Sequence, residues 1–216
     1  MSMSAPVSAE GYYDHDQSRL LAFVRPGFRS VLEVGCAGGA LLRRLIDDGA
    51  TVATGVEYVP SIAERARAAC PEAKILSGDI SSFGPEELGN GYDLAIASFV
   101  LEHVNDPWLV LKHIVDRIRP GGQFVGALPN VQHWSVTFPL IFRGKWEYVE
   151  EGIMDRTHYR FFTRSSIDEL LRSAGLVDVR IEPVLLNKSA LANRMTLGLA
   201  SGMLTRTYEF SATKPG

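Results

Sequence analysis

The stretch that decides the fold is Val31-Leu32-Glu33-Val34-Gly35-Cys36-Ala37-Gly38-Gly39. Apolar residues lead into a carboxylate and then into a glycine-rich turn, and the pattern that follows predicts a helix from Ala40 to Asp48. A strand, a glycine turn and a helix in this order are typical of an α/β domain that binds a nucleotide-like ligand. Glycine lets the backbone turn sharply and lets a ligand lie against it. What this turn binds therefore decides the function of the chain.

The rest of the chain continues the alternation of strands and helices. Because helices separate most of the strands, we expect an α/β fold with a doubly wound, mostly parallel sheet, whose ligands bind beyond the carboxyl ends of the strands. The alternation breaks at 131–162, which is rich in aromatic and charged residues. The predicted strands are 30–34, 51–57, 74–77, 92–98, 123–128, 177–182 and 207–213, and the main further helices are 17–24, 61–69, 107–118, 163–175 and 189–203.

Composition limits the classes of protein that the chain can represent. With 216 residues and 46% hydrophobic content, 1–216 suits one domain with a full core. The net charge of −3 and the lack of a basic tract give no indication of nucleic acid. The longest apolar run, 94–101, is too short to cross a membrane. Two cysteines without metal-ligand spacing, and a start unlike a signal peptide, favour a cytoplasmic protein without a metal.

The charge around the glycine turn indicates which ligand it accepts. The dinucleotide pattern wants glycine at the position of Ala37, where the backbone approaches a pyrophosphate. Glu33 stands directly before the turn and would repel a diphosphate, whereas it suits a cation such as S-adenosylmethionine, which carries a sulfonium and an ammonium. Glu57 and Asp79 end the next two strands. An NAD(P)-dependent oxidoreductase and a non-catalytic cofactor-binding protein remain the alternatives.

Together with Gly55–Glu57, Gly78–Ile80 and Leu101–Pro107, the opening stretch resembles class I S-adenosylmethionine-dependent methyltransferases over nearly the whole chain. Pro129–Val131 and Gly152–Thr163, the latter with a DRTHxRFFT-type pattern, resemble a small bacterial subgroup often found among glycan and secondary-metabolite pathways. The resemblance implies a Rossmann-like seven-stranded sheet in the order 3-2-1-4-5-7-6, with strand 7 antiparallel.

The resemblance also implies a cofactor site for S-adenosylmethionine, with S-adenosylhomocysteine as product. Glu33 would hold the amino group of the cofactor, and Glu57 would accept hydrogen bonds from both ribose hydroxyls, as an acceptor-only carboxylate can. Segment 1–28 would form a helical lid over the cofactor or simply pack on the domain. The other expected members of the site are Tyr13, Gly35, Ala37, Gly39, Tyr58, Asp79, Ile80, Ser98 and Phe99.

The acceptor would lie under segment 131–162. A hydroxyl or protonated amine must lose a proton during methyl transfer, so a general base is useful, and we favour an oxygen acceptor on a small molecule. The candidate catalytic residues are His158, His103 and Asp155, although Asp155–His158 can equally form a hydrogen-bond network that holds the segment down. Candidate substrate-binding residues are His133, Trp134, Arg143, Trp146, Arg156 and Tyr159. The apolar stretch 197–200 could pack against a second copy of the chain.

Overall fold

A computed structural model describes residues 18–185 and 200–216 of the chain. Its strands are β1 (Ser30–Val34), β2 (Val52–Glu57), β3 (Lys74–Ser77), β4 (Tyr92–Ser98), β5 (Ile118–Pro129), β6 (Val177–Val184) and β7 (Thr207–Thr213). Its α-helices are α1 (Ser18–Leu21), α2 (Ala40–Asp47), α3 (Pro60–Ala69), α4 (Pro85–Leu88), α5 (Pro107–Arg117), α6 (Trp134–Arg143), α7 (Arg164–Ser173) and α8 (Ser201–Leu204). Short 3₁₀ turns follow β3 and β4, at Ile80–Ser82 and Leu101–His103.

The seven strands form one sheet in the order β3-β2-β1-β4-β5-β7-β6, which confirms the predicted topology. Strands β3, β2, β1, β4 and β5 are parallel, and β7 is antiparallel to both of its neighbours. The carboxyl ends of β1, β2, β3 and β4 therefore meet at one edge of the sheet. Glu33, Glu57 and Asp79 lie at or just beyond this edge.

The sheet is covered on both faces, as its continuous apolar strands predict. Successive residues of one strand enter opposite layers: Leu94 and Ile96 pack with α2 and α3, whereas Ala95 and Ala97 pack with α5 and α7. The described part of the N-terminal segment joins the first layer through Leu20 and Phe23. Gln123 fixes this segment to β5, since its amide donates to the Phe23 carbonyl (2.7 Å) and accepts from Arg25 N–H (2.9 Å).

The structure corrects several of the predicted boundaries. Strand β5 begins at Ile118 rather than at Gln123, because Ile118 already pairs with Tyr92 across an irregularity in the register. The cap of α7 is formed by Thr163 and Ser166, each accepting from the other's backbone N–H, and not by the Ser165–Asp168 pair. Most of the predicted helix 189–203 lies outside the described residues, as do Tyr13 and 197–199.

Segment 131–162 contains a helix that the sequence pattern did not predict. Helix α6 begins after His133, whose ring accepts a hydrogen bond from Ser135 N–H (3.3 Å), and ends at Gly144 in the left-handed conformation. The end of the segment returns to the sheet, where Val131 N–H donates to the Phe162 carbonyl (2.9 Å). A small core of Val136, Ile153 and Met154 holds the segment together. Within the described ranges, no helix has both the length and the apolar character that crossing a membrane requires.

Candidate active site

The glycine turn is bound to the end of β2 by a ladder of hydrogen bonds. Gly35 and Cys36 both donate their N–H groups to the Val56 carbonyl, at 2.8 and 3.1 Å. Ala37 N–H then donates to Glu57 Oε2 (3.0 Å), and Val59 N–H donates to Glu57 Oε1 (2.9 Å). The carboxylate of Glu57 thus fixes two loops at the sheet edge. The Tyr58 backbone also donates to it. Because an ionised carboxylate only accepts hydrogen bonds, a ligand at this edge must donate to Glu57.

Two glycines of the turn are required by packing as well as by conformation. Gly35 has a φ of 73°, and a Cβ there would lie 2.5 Å from Val100 Cγ2. Gly39 has a φ of 85°, and a Cβ there would lie 3.2 Å from both Ala66 Cα and Cys70 Sγ. Gly39 therefore lets α2 approach α3. Ala37 adopts a φ of 48°, a left-handed conformation that costs free energy in a non-glycine residue.

Glu33 is a buried carboxylate with an unsatisfied oxygen. Its side chain is 2% exposed, and its Oε2 meets no hydrogen-bond donor in the described part of the chain. Burial and then the neighbouring Glu57 raise the pKa of Glu33 to about 8, although a hydrogen bond from the Leu42 backbone opposes the shift. Burial also raises the pKa of Glu57, while hydrogen bonds from Val59 and Ala37 lower it. Two adjacent buried carboxylates form a site that favours a positively charged ligand.

The other expected cofactor residues lie along the same edge. Asp79 is exposed after β3 and accepts hydrogen bonds from the Ser81 backbone (2.9 Å) and hydroxyl, while Ile80 is buried behind it. Ser98 ends β4, and Phe99 follows it with a φ of 55°. Tyr58 is half-buried between Glu57 and α3. The structure therefore places the described members of the predicted cofactor site along one edge of the sheet. Their roles in binding the cofactor stay predictions.

A second group of polar residues lies beyond the end of β4. The segment after Met154 folds against the turn at Glu102, because Tyr159 and Arg160 both donate backbone N–H groups to the Glu102 carbonyl, at 2.8 and 3.2 Å. This contact places His158 beside His103, with ring centroids 4.7 Å apart and the rings in a T-shaped arrangement. Glu102 is fully buried, and both of its carboxylate oxygens are unpartnered within the described residues.

Hydrogen bonds fix the orientation of both imidazoles. The Thr157 hydroxyl donates to Asp155 Oδ1 (2.7 Å), so its oxygen accepts from Nδ1–H of His103 (3.1 Å). His158 Nδ1–H donates to the Ile153 carbonyl (3.0 Å), since a carbonyl can only accept. In the neutral form of each ring, the acceptor lone pair is therefore on Nε2.

The pKa values of these groups are shifted by burial. Burial and then the neighbouring His158 lower the pKa of His103 to about 4. Burial also lowers the pKa of His158, against the opposing effects of the Ile153 carbonyl and Asp155. Burial raises the pKa of Glu102 to about 8. The backbone N–H of Glu102 itself opposes this shift, and the neighbouring Asp155 adds to it. The two imidazoles are therefore neutral at pH 7.

An open cavity of about 530 Å³ adjoins this group and is lined by Tyr148, Arg156, His158 and Tyr159. The structure thus brings together three residues that the sequence predicts for acceptor chemistry. The ring of His133 instead caps the start of α6 by accepting a backbone hydrogen bond. Trp134 and Arg143 are exposed on that helix. Trp146 packs on Phe161 with ring centroids 5.3 Å apart. None of these last four lines the cavity.

One side chain of the site was not predicted as a member of it, and two others were predicted only within larger groups. Glu102 was predicted only as part of a family motif. Its position between the apolar residues Leu101 and Val104 was the available signal that its side chain is buried. Thr157 connects Asp155 to His103, and Tyr148 lines the cavity. Thr157 was predicted only within the Asp155–His158 network, and Tyr148 only as one of the aromatic residues of 131–162 that could form walls around a ring-shaped acceptor.

Comparison with known proteins assigns the chain to a family. A family model described as a methyltransferase domain matches residues 9–181. The chain belongs to the methyltransferase-domain family. It is 30% identical over 191 residues to a ubiquinone biosynthesis O-methyltransferase of Methylobacterium nodulans, covering 86% of this chain and 73% of that protein.

Two further comparisons agree with this assignment. A ubiquinone biosynthesis O-methyltransferase of Vibrio parahaemolyticus is 28% identical over 158 residues, which cover 71% of this chain. The match spans 66% of that relative's length, just under two thirds. An S-adenosylmethionine-dependent methyltransferase structure from Mesorhizobium loti has the same fold, with a TM-score of 0.65 at 18% identity, covering 91% of this chain and 96% of that one.

S-adenosylmethionine is the cofactor of this methyltransferase, and the residues at the sheet edge fit it. The unpartnered Oε2 of Glu33 suits the cofactor's ammonium group, and the acceptor-only carboxylate of Glu57 suits the hydroxyl donors of a ribose. When bound, the cofactor supplies a methyl group already activated by its sulfonium. The methyltransferase-domain assignment disfavours the NAD(P)-dependent oxidoreductase that the glycine pattern alone leaves open.

Proposed function

We propose that this methyltransferase transfers the methyl group of S-adenosylmethionine to a hydroxyl oxygen of a ring-bearing small molecule. The observation that carries the proposal is the neutral His158 in the wall of an open cavity that Tyr148 and Tyr159 also line. Aromatic walls suit a ring-shaped acceptor, and a neutral imidazole can accept the proton of its hydroxyl. The O-methyltransferase names of the relatives from Methylobacterium and Vibrio agree with this choice.

The steps of the reaction assign different tasks to the two ends of the site. Glu33 and Glu57 bind and orient the cofactor through its charged and hydroxyl groups. His158 lies beside the acceptor hydroxyl, while Arg156 at the cavity mouth contacts polar groups of the acceptor. Segment 131–162 covers the acceptor and excludes water, which keeps the methyl group from hydrolysis and aligns the displacement.

His103 and Asp155 act on this arrangement through Thr157. The Asp155 carboxylate holds the Thr157 hydroxyl, which in turn holds His103 Nδ1. His103 then packs edge-on against His158 and fixes its ring. We infer that these side chains position His158 rather than contact the acceptor.

A radiolabelled methyl-transfer assay with matched acceptors tests the proposal. Purified protein and tritiated S-adenosylmethionine would be incubated with catechols, phenols, sugars and the corresponding aryl amines. We expect label in a hydroxylated ring compound, with the methyl group on oxygen by NMR. Transfer to the amine series alone would contradict the oxygen assignment. Absence of transfer to every acceptor, despite binding of S-adenosylhomocysteine, would favour the non-catalytic cofactor-binding alternative.

A further inference from the structure

Three side chains with metal-ligating atoms converge near the acceptor cavity. One oxygen of Glu102 and one ring nitrogen each of His103 and His158 all lie within 4.8 Å of one another. Glu102 is 0% exposed, and both of its oxygens lack a hydrogen-bond partner in the part of the chain that the structure describes. A fully buried carboxylate with no donor is costly unless a cation neutralises it. The general-base role of His158 gives no reason for this carboxylate.

The hydrogen bonds behind the two imidazoles match those of metal ligands. Ligating histidines almost always donate their second ring nitrogen to a carbonyl or, directly or through another group, to a carboxylate. His158 donates Nδ1–H to the Ile153 carbonyl, and His103 donates Nδ1–H to Thr157, which is held by Asp155. Asp155 adds a second buried carboxyl group, with its Oδ2 unpartnered in the described residues.

We propose that Glu102, His103 and His158 bind one divalent transition-metal ion. Two imidazole nitrogens and one carboxylate oxygen favour Zn²⁺, Fe²⁺, Co²⁺ or Mn²⁺ over Mg²⁺ and Ca²⁺, which prefer oxygen alone. Metal–ligand distances near 2.1 Å place ligand atoms roughly 3.5 Å apart, so the three side chains close inwards by about 1 Å on binding. Three protein ligands leave a coordination position open, as in catalytic metal sites.

The proposal that these residues bind a metal ion is independent of the proposed function. The catalytic role of the metal rests on the proposed function. Of the three ligands, His158 lines the open cavity where the acceptor hydroxyl is expected. A hydroxyl oxygen bound to the metal has a lowered pKa and loses its proton to solvent. Its oxygen then forms the bond to the methyl carbon as the carbon–sulfur bond breaks, and the sulfonium becomes a thioether. In this state His158 is a ligand, and the metal replaces it as the group that activates the hydroxyl.

Cobalt titration of the chelator-treated, full-length protein tests the binding. We expect one Co²⁺ per chain, with the visible absorption of a protein-bound ion. His158→Ala and the isosteric Glu102→Gln should each weaken binding by at least ~100-fold, since even outer-shell partners contribute about 10–100-fold. His113→Ala is the matched control, because His113 also contacts a carbonyl at 3.0 Å, that of Phe83, but lies outside the cluster. Thermal melts would establish that each variant is folded.

The outcomes separate this inference from the proposed function. Failure to bind Co²⁺, or equal affinity in His158→Ala and His113→Ala, overturns the metal site and leaves methyl transfer to its own assay. Cobalt binding at these residues without methylation of any hydroxyl compound would support the site and contradict the proposed function. Full turnover after chelation would overturn the catalytic role. Turnover that chelation abolishes and Zn²⁺, Mn²⁺ or Co²⁺ restores in the original protein would support it.

Discussion

Replacing Glu33 with glutamine is expected to stabilise the cofactor-free protein while weakening its binding of the cofactor. The pKa of Glu33 is about 8 in the folded chain against an ordinary value of 4.5. Between these two values the folded protein holds a proton that the unfolded chain has released, so the free energy of unfolding falls as the pH rises. At about 1.36 kcal/mol per pH unit, the ionisable Glu33 lowers the free energy of unfolding by roughly 3 kcal/mol at pH 7.

Glutamine removes the charge and keeps the shape. Its amide oxygen can still accept the Leu42 backbone hydrogen bond that the carboxylate accepts. The difference in unfolding free energy between variant and original should therefore be small at pH 5, grow with pH and level off near pH 8. The same change removes a charged acceptor for the ammonium group of the cofactor, which costs about 1.5–3 kcal/mol, or roughly 10–150-fold in affinity.

Urea denaturation between pH 5 and pH 8 and calorimetric titration with S-adenosylhomocysteine measure the two effects. Glu86→Gln is the control, since Glu86 is exposed at the start of α4 and should change neither quantity appreciably. Because Glu33 is mostly protonated in the free protein at pH 7, cofactor binding should also release protons, which titrations in two buffers of different ionisation enthalpy detect. A variant that is less stable than the original at pH 7 to 8, or binding without proton release, would refute this assignment.

Three further substitutions test other parts of the structure. Glu57→Ala should raise the dissociation constant of S-adenosylhomocysteine by roughly 10–150-fold, because it removes a charged acceptor; unchanged binding in calorimetry would exclude a ribose contact. Burial alone would raise the pKa of Asp93, but hydrogen bonds led by that from Arg119 lower it to about 2. Asp93→Asn should therefore cost about 2 kcal/mol of stability at pH 7 in urea denaturation. In the original protein this stabilisation by Asp93 is lost as the pH falls from 3.8 towards 2. If the free energy of unfolding of the variant fell in the same way over this pH range, the assignment would be wrong. His158→Ala should lower turnover by ~100-fold or more with unchanged S-adenosylhomocysteine binding, whereas His113→Ala should not.

The sheet was predictable because its signals are local. Each strand is an apolar run that ends in a turn, and the carboxylates Glu33, Glu57 and Asp79 mark where three strands end. Residues at corresponding ends of parallel strands must meet, so the cofactor edge follows from sequence and topology together. The resemblance to a known family supplied the position of β7, which local patterns alone do not determine.

Helix α6 was not predictable from periodicity because its apolar residues are not confined to one face. Phe138, Ile141 and Phe142 are exposed, and Pro139 lies inside the helix. Proline usually marks the end of a helix. Gly144, which ends α6 in the left-handed conformation, was the available signal.

The cluster around Glu102 was not predictable because its members are distant in the sequence. Backbone contacts from Tyr159 and Arg160 to the Glu102 carbonyl bring the later segment back to the end of β4. Such contacts depend on the fold of an irregular segment, whose sequence has no helix or strand periodicity from which the fold could be predicted. The sequence indicates Asp155–His158 only as a local group. In the structure, Thr157 of this group contacts His103, more than fifty positions earlier in the chain.

Glu33 and Glu102 give the site a common physical logic. Both are carboxylates at most 2% exposed, both have an unpartnered oxygen within the described residues, and burial raises the pKa of each to about 8. Each therefore destabilises the cofactor-free protein at neutral pH. Glu33 lies near the end of β1 and Glu102 lies beyond the end of β4, which pairs with β1. On the proposals above, the cofactor's ammonium at Glu33 would fix the methyl donor and a metal ion at Glu102 would fix the acceptor. The same unfavourable charges that weaken the free fold would then hold the reacting groups in line.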